Sequence, residues 1–236
     1  MSARFEELDW RRTQMGEISL RRRRYPTVDK DVYEVKLDDE FLMSSLFTTA
    51  ERELARRALA ELDRARLRVL VGGLGLGYTA HAALADPRVT ELTVVEAAEP
   101  VLDWHHRRLL PDTQGLASDP RCRLVHDDFF RLVRSDVGIR YDAILLDIDH
   151  TPRHVLHPSH ADFYSVPGLT DLTRHLSESG VFALWSDDPP DDDFQKTLAQ
   201  VFSRASAHVI TFANPLTRGE SSSTVYLAHR VAATAS

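Results

Sequence analysis

The sequence contains a single cysteine, Cys122, among its 236 residues. One cysteine excludes an internal disulfide and is typical of a protein kept in a reducing compartment. The chain also lacks any run of about 18 apolar residues, so it predicts no membrane-spanning helix. Its first residues, MSARFEELDWRR, have none of the apolar stretch that marks a secretory signal. We therefore expect a cytoplasmic protein with no membrane partner.

Positive charge is also in short supply. Lysine and arginine number 29 against 36 aspartates and glutamates, which gives a formal net charge of −7. An excess of negative charge argues against nucleic acid as the main partner. The hydrophobic fraction of 43% is ordinary for a globular chain long enough to bury a full core.

What the sequence does contain is an alternation of short apolar strands with helix-like segments. The predicted strands of this region are 68–71, 92–96, 123–126, 141–147 and 181–185. Two further strands, 207–212 and 223–228, follow with no helix between them. The pattern predicts an α/β, Rossmann-like fold. Its seven-stranded, mostly parallel sheet would carry an antiparallel C-terminal edge hairpin.

A shorter β-rich segment precedes this region. Candidate strands at 18–24, 31–37 and 41–43 predict a small N-terminal β-hairpin or three-stranded appendage. We therefore divide the chain into an N-terminal β segment, residues 1–46, and a main domain, residues 47–236.

The main domain begins with a predicted helix over residues 48–62. Thr48 or Thr49 is expected to cap this helix, with Glu51 close behind in the pattern of a capping box.

The stretch RVLVGGLGLG, residues 68–77, is the centre of the predicted site. A strand runs directly into Gly72, Gly73, Gly75 and Gly77, and a helix-like run follows. Glycine permits positive φ and has no Cβ, so the backbone can approach a ligand closely. The following helix start offers unpaired N–H groups. We expect these four glycines to bind a nucleotide-like cofactor.

Acidic residues end the strands after this turn, at the edge where open α/β sheets bind ligands. Glu96 is placed to accept hydrogen bonds from both hydroxyls of a ribose. Asp128 is placed to accept from an adenine amino group, and Asp127 competes for that role. One of these two aspartates is expected to serve as a helix N-cap.

Asp147 ends the next strand, beside the glycine strand, and Asp149 follows it. Both are candidate catalytic residues, because a carboxylate here could hold an attacking amine or take its proton. In the alternative interpretation Asp147 caps the next segment and holds the amino group of the cofactor. A dinucleotide is the alternative cofactor, disfavoured because the chain ends in a β-hairpin.

Three charged segments have roles that the sequence leaves open. The histidines of residues 150–160 match no zinc spacing, so we expect no metal and favour a histidine-bearing lid over the active site. The acidic run 187–193 is either solvated or attracts a cationic substrate. The run Arg21–Arg24 is a solvated strand end, an anion clamp or a subunit contact.

Taken together, these motifs resemble the spermidine synthase family, the polyamine aminopropyltransferases. The glycine turn of that family, GGGDGG, reads GGLGLG here. Its ribose acid matches Glu96, its adenine-side acids match Asp127 and Asp128, and its YD…D strand matches residues 141–147. The resemblance implies a class I fold that binds S-adenosylmethionine (AdoMet), and AdoMet or decarboxylated AdoMet as donor substrate. It also implies a homodimer and a small-molecule acceptor such as a cationic amine.

The departures from the family concentrate where it holds its amine. The acid of GGGDGG falls on Gly75, the D-x-x-D-P loop reads DIDHTP, and a YHE motif reads MSS at residues 43–45. The resemblance nevertheless predicts a transferase that uses AdoMet or decarboxylated AdoMet to alkylate a small-molecule nucleophile, an amine in the first interpretation, by aminopropyl transfer as in polyamine biosynthesis. The alternatives are methyl transfer from AdoMet to an unidentified acceptor and a nucleoside-binding protein without turnover.

Overall fold

The computed structural model describes residues 5–13 and 15–230. The strands in this part of the chain are β1 (Phe5–Thr13), β2 (Gly16–Tyr25), β3 (Lys30–Leu37), β4 (Glu40–Ser44), β5 (Leu67–Gly72), β6 (Val89–Glu96), β7 (Cys122–His126), β8 (Tyr141–Leu146), β9 (Leu176–Ser186), β10 (Arg204–Asn214) and β11 (Gly219–His229). The α-helices are α1 (Thr49–Ala60), α2 (Tyr78–Leu84), α3 (Glu99–His106), α4 (Phe129–Arg134), α5 (Val166–His175) and α6 (Asp192–Val201). Short 3₁₀ turns lie at Pro111–Thr113, Leu116–Ser118 and Pro158–Tyr164.

The main sheet has seven strands in the order β10-β11-β9-β8-β5-β6-β7. The five strands from β9 to β7 are parallel to one another. β11 is antiparallel to β9, and β10 is antiparallel to β11. The predicted mostly parallel sheet with an antiparallel edge hairpin is therefore confirmed.

Burial on both faces explains the apolar central strands. Every residue of β8 is buried, and β5 is buried except at Arg68. Val69 and Val71 join one hydrophobic cluster with α1, α2 and α3, whereas Leu70 joins a second cluster with α4, α5 and α6. Helices on both faces are what a parallel sheet requires. The arrangement leaves the carboxyl ends of β5 to β9 together at one edge.

The N-terminal segment forms a second, antiparallel sheet in the order β1-β2-β3-β4. The prediction of at most three strands was wrong, because β1 has the polar sequence FEELDWRRT and is exposed at many positions. Ile18, Leu20 and Val35 are buried in the same cluster as the main domain. The boundary at residue 46 stays a prediction, since the two sheets share this core.

The first turn of α1 differs from the predicted capping box. The Thr48 side chain makes no capping hydrogen bond, and its Oγ1 instead accepts from Arg52 Nε at 3.3 Å. Glu51 lines a cavity at the carboxyl edge of the main sheet. The expected capping box is therefore wrong. The helix is anchored by buried Leu54, Ala55 and the apolar residues that follow them, not by its cap.

In the part of the chain that the structure describes, every helix is too short or too polar to cross a membrane.

Candidate active site

The glycine turn follows β5 directly and is shaped by close approach to the end of β8. Gly73 has a φ of 91°, and a Cβ at this position would lie 2.1 Å from the backbone oxygen of Asp147. Gly75 has a φ of 47°, and its Cβ would lie 2.7 Å from Met43 Sδ. A side chain at Gly73 would therefore push the two strand ends apart.

Glu96 at the end of β6 holds the glycine turn. Its Oε2 accepts hydrogen bonds from the backbone N–H groups of Leu74 at 2.9 Å and Gly75 at 3.4 Å. Its Oε1 accepts from Ala98 N at 2.8 Å. A carboxylate offers about four acceptor positions, so the half-buried Glu96 keeps capacity for a ribose hydroxyl.

The two aspartates after β7 divide their roles. Asp128 is the N-cap of α4, and its Oδ1 accepts from Phe130 N at 2.8 Å and Arg131 N at 3.3 Å. Asp127 Oδ1 accepts from Asp128 N at 2.6 Å and from Arg131 Nε at 3.1 Å. Asp128 is thus the helix cap of the pair, the role the sequence assigned to one of them. Asp127 lies near the surface in an ion pair with Arg131.

A cavity of about 280 Å³ opens beside the glycine turn. Its walls come from β4 and the segment after it, α1, the glycine turn and α2, and the loops after β8 and β9. The lining residues are Phe41, Leu42, Met43, Ser44, Phe47, Glu51, Leu74, Gly75, Leu76, Gly77, Tyr78, Asp147, Ile148, His150, Leu156, Trp185 and Asp187. Glu96, Asp127, Asp128, Asp149, Gly72 and Gly73 lie outside this wall, so the predicted nucleoside residues sit beside the cavity.

Asp147 is the predicted catalytic residue that the structure places in the cavity wall. Thr79, buried on α2, donates a hydrogen bond from Oγ1 to Asp147 Oδ2 at 2.6 Å. Burial raises the pKa of Asp147 to about 6, and the Thr79 hydrogen bond partly opposes that rise. A carboxyl group poised near neutral pH is suited to accept a proton.

Glu51 is a cavity residue that sequence reasoning missed. Burial, followed by the neighbouring charge of Asp147, raises the pKa of the Glu51 carboxyl group to about 8. Asp187 at the end of β9 adds a smaller effect in the same direction. Two carboxyl groups in one poorly solvated cavity favour a shared proton. The sequence gives no clear indication of this role, because an acidic residue in the first turn of a helix is common without any function in a binding site.

Asp149 was predicted to be catalytic, but its side chain is turned to other partners. It is buried, and it accepts hydrogen bonds from Leu156 N at 2.7 Å and Tyr164 Oη at 2.8 Å. His160 Nδ1 lies 2.9 Å from Asp149 Oδ1. With both oxygens engaged away from the cavity, Asp149 holds the loop that follows β8.

The histidines of that loop do not converge. His150 lines the cavity and its Nε2 lies 3.1 Å from Glu40 Oε1, whereas His160 stacks on Phe130 at 3.9 Å between ring centroids. His157 caps the 3₁₀ turn that begins at Pro158. Among residues 5–13 and 15–230, no three histidine, cysteine or acidic side chains are grouped to hold a metal ion.

The acidic run after β9 also divides. Asp187 lines the cavity, whereas Asp191 caps α6 and accepts a hydrogen bond from Arg153 Nη2 at 2.9 Å. The Arg153 guanidinium holds the pKa of Asp191 well below its usual range. Asp193 pairs with Lys196 at 2.9 Å. Only the first acid of the run therefore faces the site.

The run Arg21–Arg24 is paired within its own sheet. Its partners are Glu7, Glu6, Glu34, Asp29 and Asp31 on neighbouring strands and turns. None of these arginines lines the cavity, and their ion pairs favour the interpretation as a solvated strand end.

His105 supports the glycine turn from α3. Its Nε2 lies 3.0 Å from the carbonyl oxygen of Gly75, and its ring fills the space beside Gly77. Burial lowers the pKa of His105 to about 4, so the ring is neutral and donates to the Gly75 carbonyl. Nothing in the sequence indicated this residue, which lies 30 positions from its partner.

Two curated proteins match parts of the chain. A polyamine aminopropyltransferase from Corynebacterium efficiens is 39% identical over 120 residues, which is 50% of this chain and 22% of that protein. Putrescine N-methyltransferase 3 from Nicotiana tabacum is 34% identical over 80 residues, which is 34% of this chain and 21% of that protein. The matched segments thus span about a fifth of either relative.

Solved structures share the fold over nearly the whole chain. Spermidine synthase from Thermotoga maritima superposes with a TM-score of 0.74 at 18% identity, covering 95% of this chain and 72% of that one. A spermidine synthase in complex with the transition-state analogue AdoDATO gives 0.73 at 17% identity, with the same coverage. At these identities the likeness establishes the fold.

The family model described as the spermine/spermidine synthase domain matches residues 50–217. That span runs from the first turn of α1 to the loop between β10 and β11, and it includes the glycine turn and every predicted catalytic and cofactor-binding residue. The chain belongs to the spermine/spermidine synthase family.

Proposed function

We propose that this protein transfers an aminopropyl group from decarboxylated AdoMet to an amine. The observation that carries the proposal is the cavity beside the glycine turn, which is lined by Glu51, Asp147 and Asp187. Among the residues that the structure describes, no lysine or arginine lines this cavity. A donor that keeps its carboxylate would meet like charge in this cavity, whereas the decarboxylated donor and an amine acceptor both carry ammonium groups.

The names of the two curated relatives support an amine acceptor. One is a polyamine aminopropyltransferase and the other a putrescine N-methyltransferase. Both names specify an amine, although the groups transferred differ. The acidic cavity of this chain is the kind of site that an ammonium group would enter.

The donor supplies a carbon bonded to a sulfonium, which leaves as a neutral thioether. An ammonium nitrogen has no free lone pair, so the reacting group first gives up one proton, and the neutral nitrogen then forms the new C–N bond as the C–S bond breaks. Asp147, oriented by Thr79, is the base we assign to that proton, which passes on to solvent. Glu96, Asp127, Asp128 and the glycines Gly72, Gly73, Gly75 and Gly77 are the residues we assign to the nucleoside.

Methyl transfer from AdoMet is the second candidate function. The tobacco relative is named as a methyltransferase, and Gly75 leaves the turn without an acid that would repel the AdoMet carboxylate. The two candidates differ in the donor that the protein prefers.

Calorimetry with each donor decides between these functions. We expect decarboxylated AdoMet to bind at least about tenfold more tightly than AdoMet, because the cavity is acidic. A preference of that size for AdoMet would establish methyl transfer instead. Failure of both nucleosides to bind would overturn the proposed donor site altogether.

Turnover of Asp147→Asn tests the chemistry separately from binding. Loss of a general base should lower kcat by about 100-fold or more while donor affinity changes little. Asp192→Asn, on the exposed first turn of α6, is the matched control and should keep full activity. Unchanged kcat in Asp147→Asn would remove Asp147 from the reaction. A wild-type protein that binds donor but modifies no amine would be a nucleoside-binding protein.

We also propose that the protein works in the cytoplasm as a homodimer, without a nucleic acid or membrane partner. A single half-buried cysteine and the net charge of −7 support this setting. Cell fractionation tests the location.

A further inference from the structure

Glu51 stands out among the acids of the cavity because it is half-buried and no side chain in the described structure pairs with it. Its helix neighbour Glu53 pairs with Arg57 at 3.0 Å and with Arg56 at 3.5 Å. The Glu51 carboxylate has no ion pair and no hydrogen bond to another side chain among the described residues. A carboxylate that is partly removed from water is costly unless a cation or a hydrogen-bond donor pairs with it. An unpaired carboxylate in a cavity wall is therefore a candidate to pair with a bound ligand.

The nearest cation does not fill this role. Arg52 follows Glu51 on α1, but its guanidinium lies over the Tyr78 ring, 4.9 Å from the centroid. The Arg52 Nε donates to Thr48 Oγ1 at 3.3 Å. The arginine is therefore turned to its own partners and only weakly offsets the effect of burial on Glu51.

The groups that face Glu51 across the cavity are mostly acidic or neutral. Asp147 stands at the end of β8 and Asp187 at the end of β9, while Tyr78 on α2 and His150 after β8 complete the titratable wall. His150 is itself held by Glu40 at 3.1 Å. The local balance of charge therefore favours a proton on Glu51 for as long as no cation occupies the cavity.

A second feature of the wall also lacks a partner. The Nε1 of Trp185 is buried and has no hydrogen-bond partner among the described residues. Trp185, near the end of β9, lines the same cavity as Asp187, which lies two residues further along the chain. An indole N–H is a hydrogen-bond donor only, so it marks a polar wall that lacks an acceptor atom and is not itself a contact for an ammonium group.

We propose that Glu51 is the residue that selects a cationic acceptor, and that it releases its own proton when the ammonium group of that acceptor enters the cavity. The proposal rests on the proposed function for the class of acceptor, a primary amine carrying at least one ammonium group. Glu51 and Asp147 then act as a pair. Glu51 holds the charge of the acceptor, and Asp147 remains available to the reacting nitrogen.

The physical basis is the coupling of charge to protonation. An ammonium group within a few ångströms stabilises the ionised form of a carboxyl group that burial had kept neutral. Burial, together with the charge of Asp147, raises the pKa of Glu51 well above its ordinary value, which favours the neutral carboxyl group while no cation is in the cavity. Binding of a cation should therefore release up to about one proton per site.

Calorimetry of 1,4-diaminobutane at pH 7, in two buffers of different ionisation enthalpy, measures that proton directly. The wild-type protein should release protons as it binds the diamine. Glu51→Gln should bind the diamine at least about tenfold more weakly. It should also release fewer protons per diamine bound than the wild-type protein does. Glu53→Gln, on the same helix but outside the cavity, should behave as the wild type does.

The outcomes separate this proposal from the proposed function. Diamine binding and proton release that are unchanged in Glu51→Gln would overturn the role of Glu51 and leave aminopropyl transfer standing. Failure of wild-type protein to bind the diamine while it still binds decarboxylated AdoMet would overturn the cation-selecting cavity. Failure of the wild-type protein to bind either AdoMet or decarboxylated AdoMet would overturn the proposed function itself. Retained binding of decarboxylated AdoMet by Glu51→Gln shows that this variant is folded.

Discussion

His105 shows how a single buried side chain can support a binding turn from a distance. Its ring donates to the Gly75 carbonyl and packs beside Gly77. Protonation would leave the Nε2–H donor in place but would put a positive charge on a buried ring, so burial makes the charged form costly. The turn should therefore be sensitive to acid.

We expect the stability of the protein to fall as the pH drops from about 6.5 to about 4. The pKa of His105 is about 4 in the folded protein against 6.5 as its ordinary value, so the unfolded chain binds the extra proton first. The difference amounts to about 3 kcal/mol of unfolding free energy at the acid end. Urea denaturation across this pH range measures it.

His105→Gln keeps a donor for Gly75 and removes the titration, so the fall in stability over this range should become smaller by that amount. His106→Gln, at the exposed next position of α3, should leave the fall unchanged. An identical pH dependence in His105→Gln and wild type would contradict the assignment.

At the scale of secondary structure, the glycine turn is where two elements approach most closely. The end of β5 and the end of β8 meet at Gly73, where a Cβ would overlap the Asp147 backbone. The same contact places Asp147 in the cavity wall. The turn and the predicted catalytic residue are therefore one structural unit.

Gly73→Ala should lower the unfolding free energy by more than the cost of a positive φ alone. A positive φ costs a non-glycine residue about 1–2 kcal/mol, and displacement of the Asp147 backbone adds to that cost. Gly115→Ala is the matched control, because Gly115 has a φ of 98° and open space around it. We expect Gly73→Ala to lose more unfolding free energy than Gly115→Ala and to weaken binding of decarboxylated AdoMet at least about tenfold. An equal loss of unfolding free energy in the two variants would show that the end of β8 shifts at little energetic cost.

At the scale of the whole molecule, the N-terminal sheet presents apolar side chains to solvent. Phe5 and Trp10 on the edge strand β1, and Met15 in the turn after it, are each exposed by 46% or more. Large apolar side chains exposed on an edge strand are candidates for an interaction surface. This surface is the place where we expect the proposed homodimer to form.

Light scattering of the purified protein should give twice the chain mass of 26.7 kDa. Trp10→Glu should shift the protein to the monomer mass, because a charge cannot be buried in the interface without a partner. Leu216→Glu, at an exposed position of the β10–β11 loop, should leave the dimer intact. A wild-type mass of one chain would contradict the homodimer.

The main sheet could be predicted from the sequence, and so could the strand-end positions of the residues that we assign to the donor. Parallel strands are buried on both faces, so β5 and β8 are continuous apolar runs that can be read without a structure. The glycines and the acids Glu96, Asp127 and Asp147 stand at strand ends, where the topology of the sheet brings ligand-binding residues together. Local patterns were sufficient here because they coincide with the ends of elements.

Which side chains line the cavity, in contrast, depends on tertiary packing. Glu51 entered the cavity because α1 packs against α2, β9 and β11, which carries its first turn over the carboxyl edge of the sheet. The packing of the loop after β8 likewise turned Asp149 toward Tyr164 and His160 and away from the cavity. Strand β1 also escaped prediction, because its residues are largely exposed and show no apolar alternation. These features depend on contacts between residues far apart in the chain, and no local pattern of charge or hydrophobicity specifies such contacts.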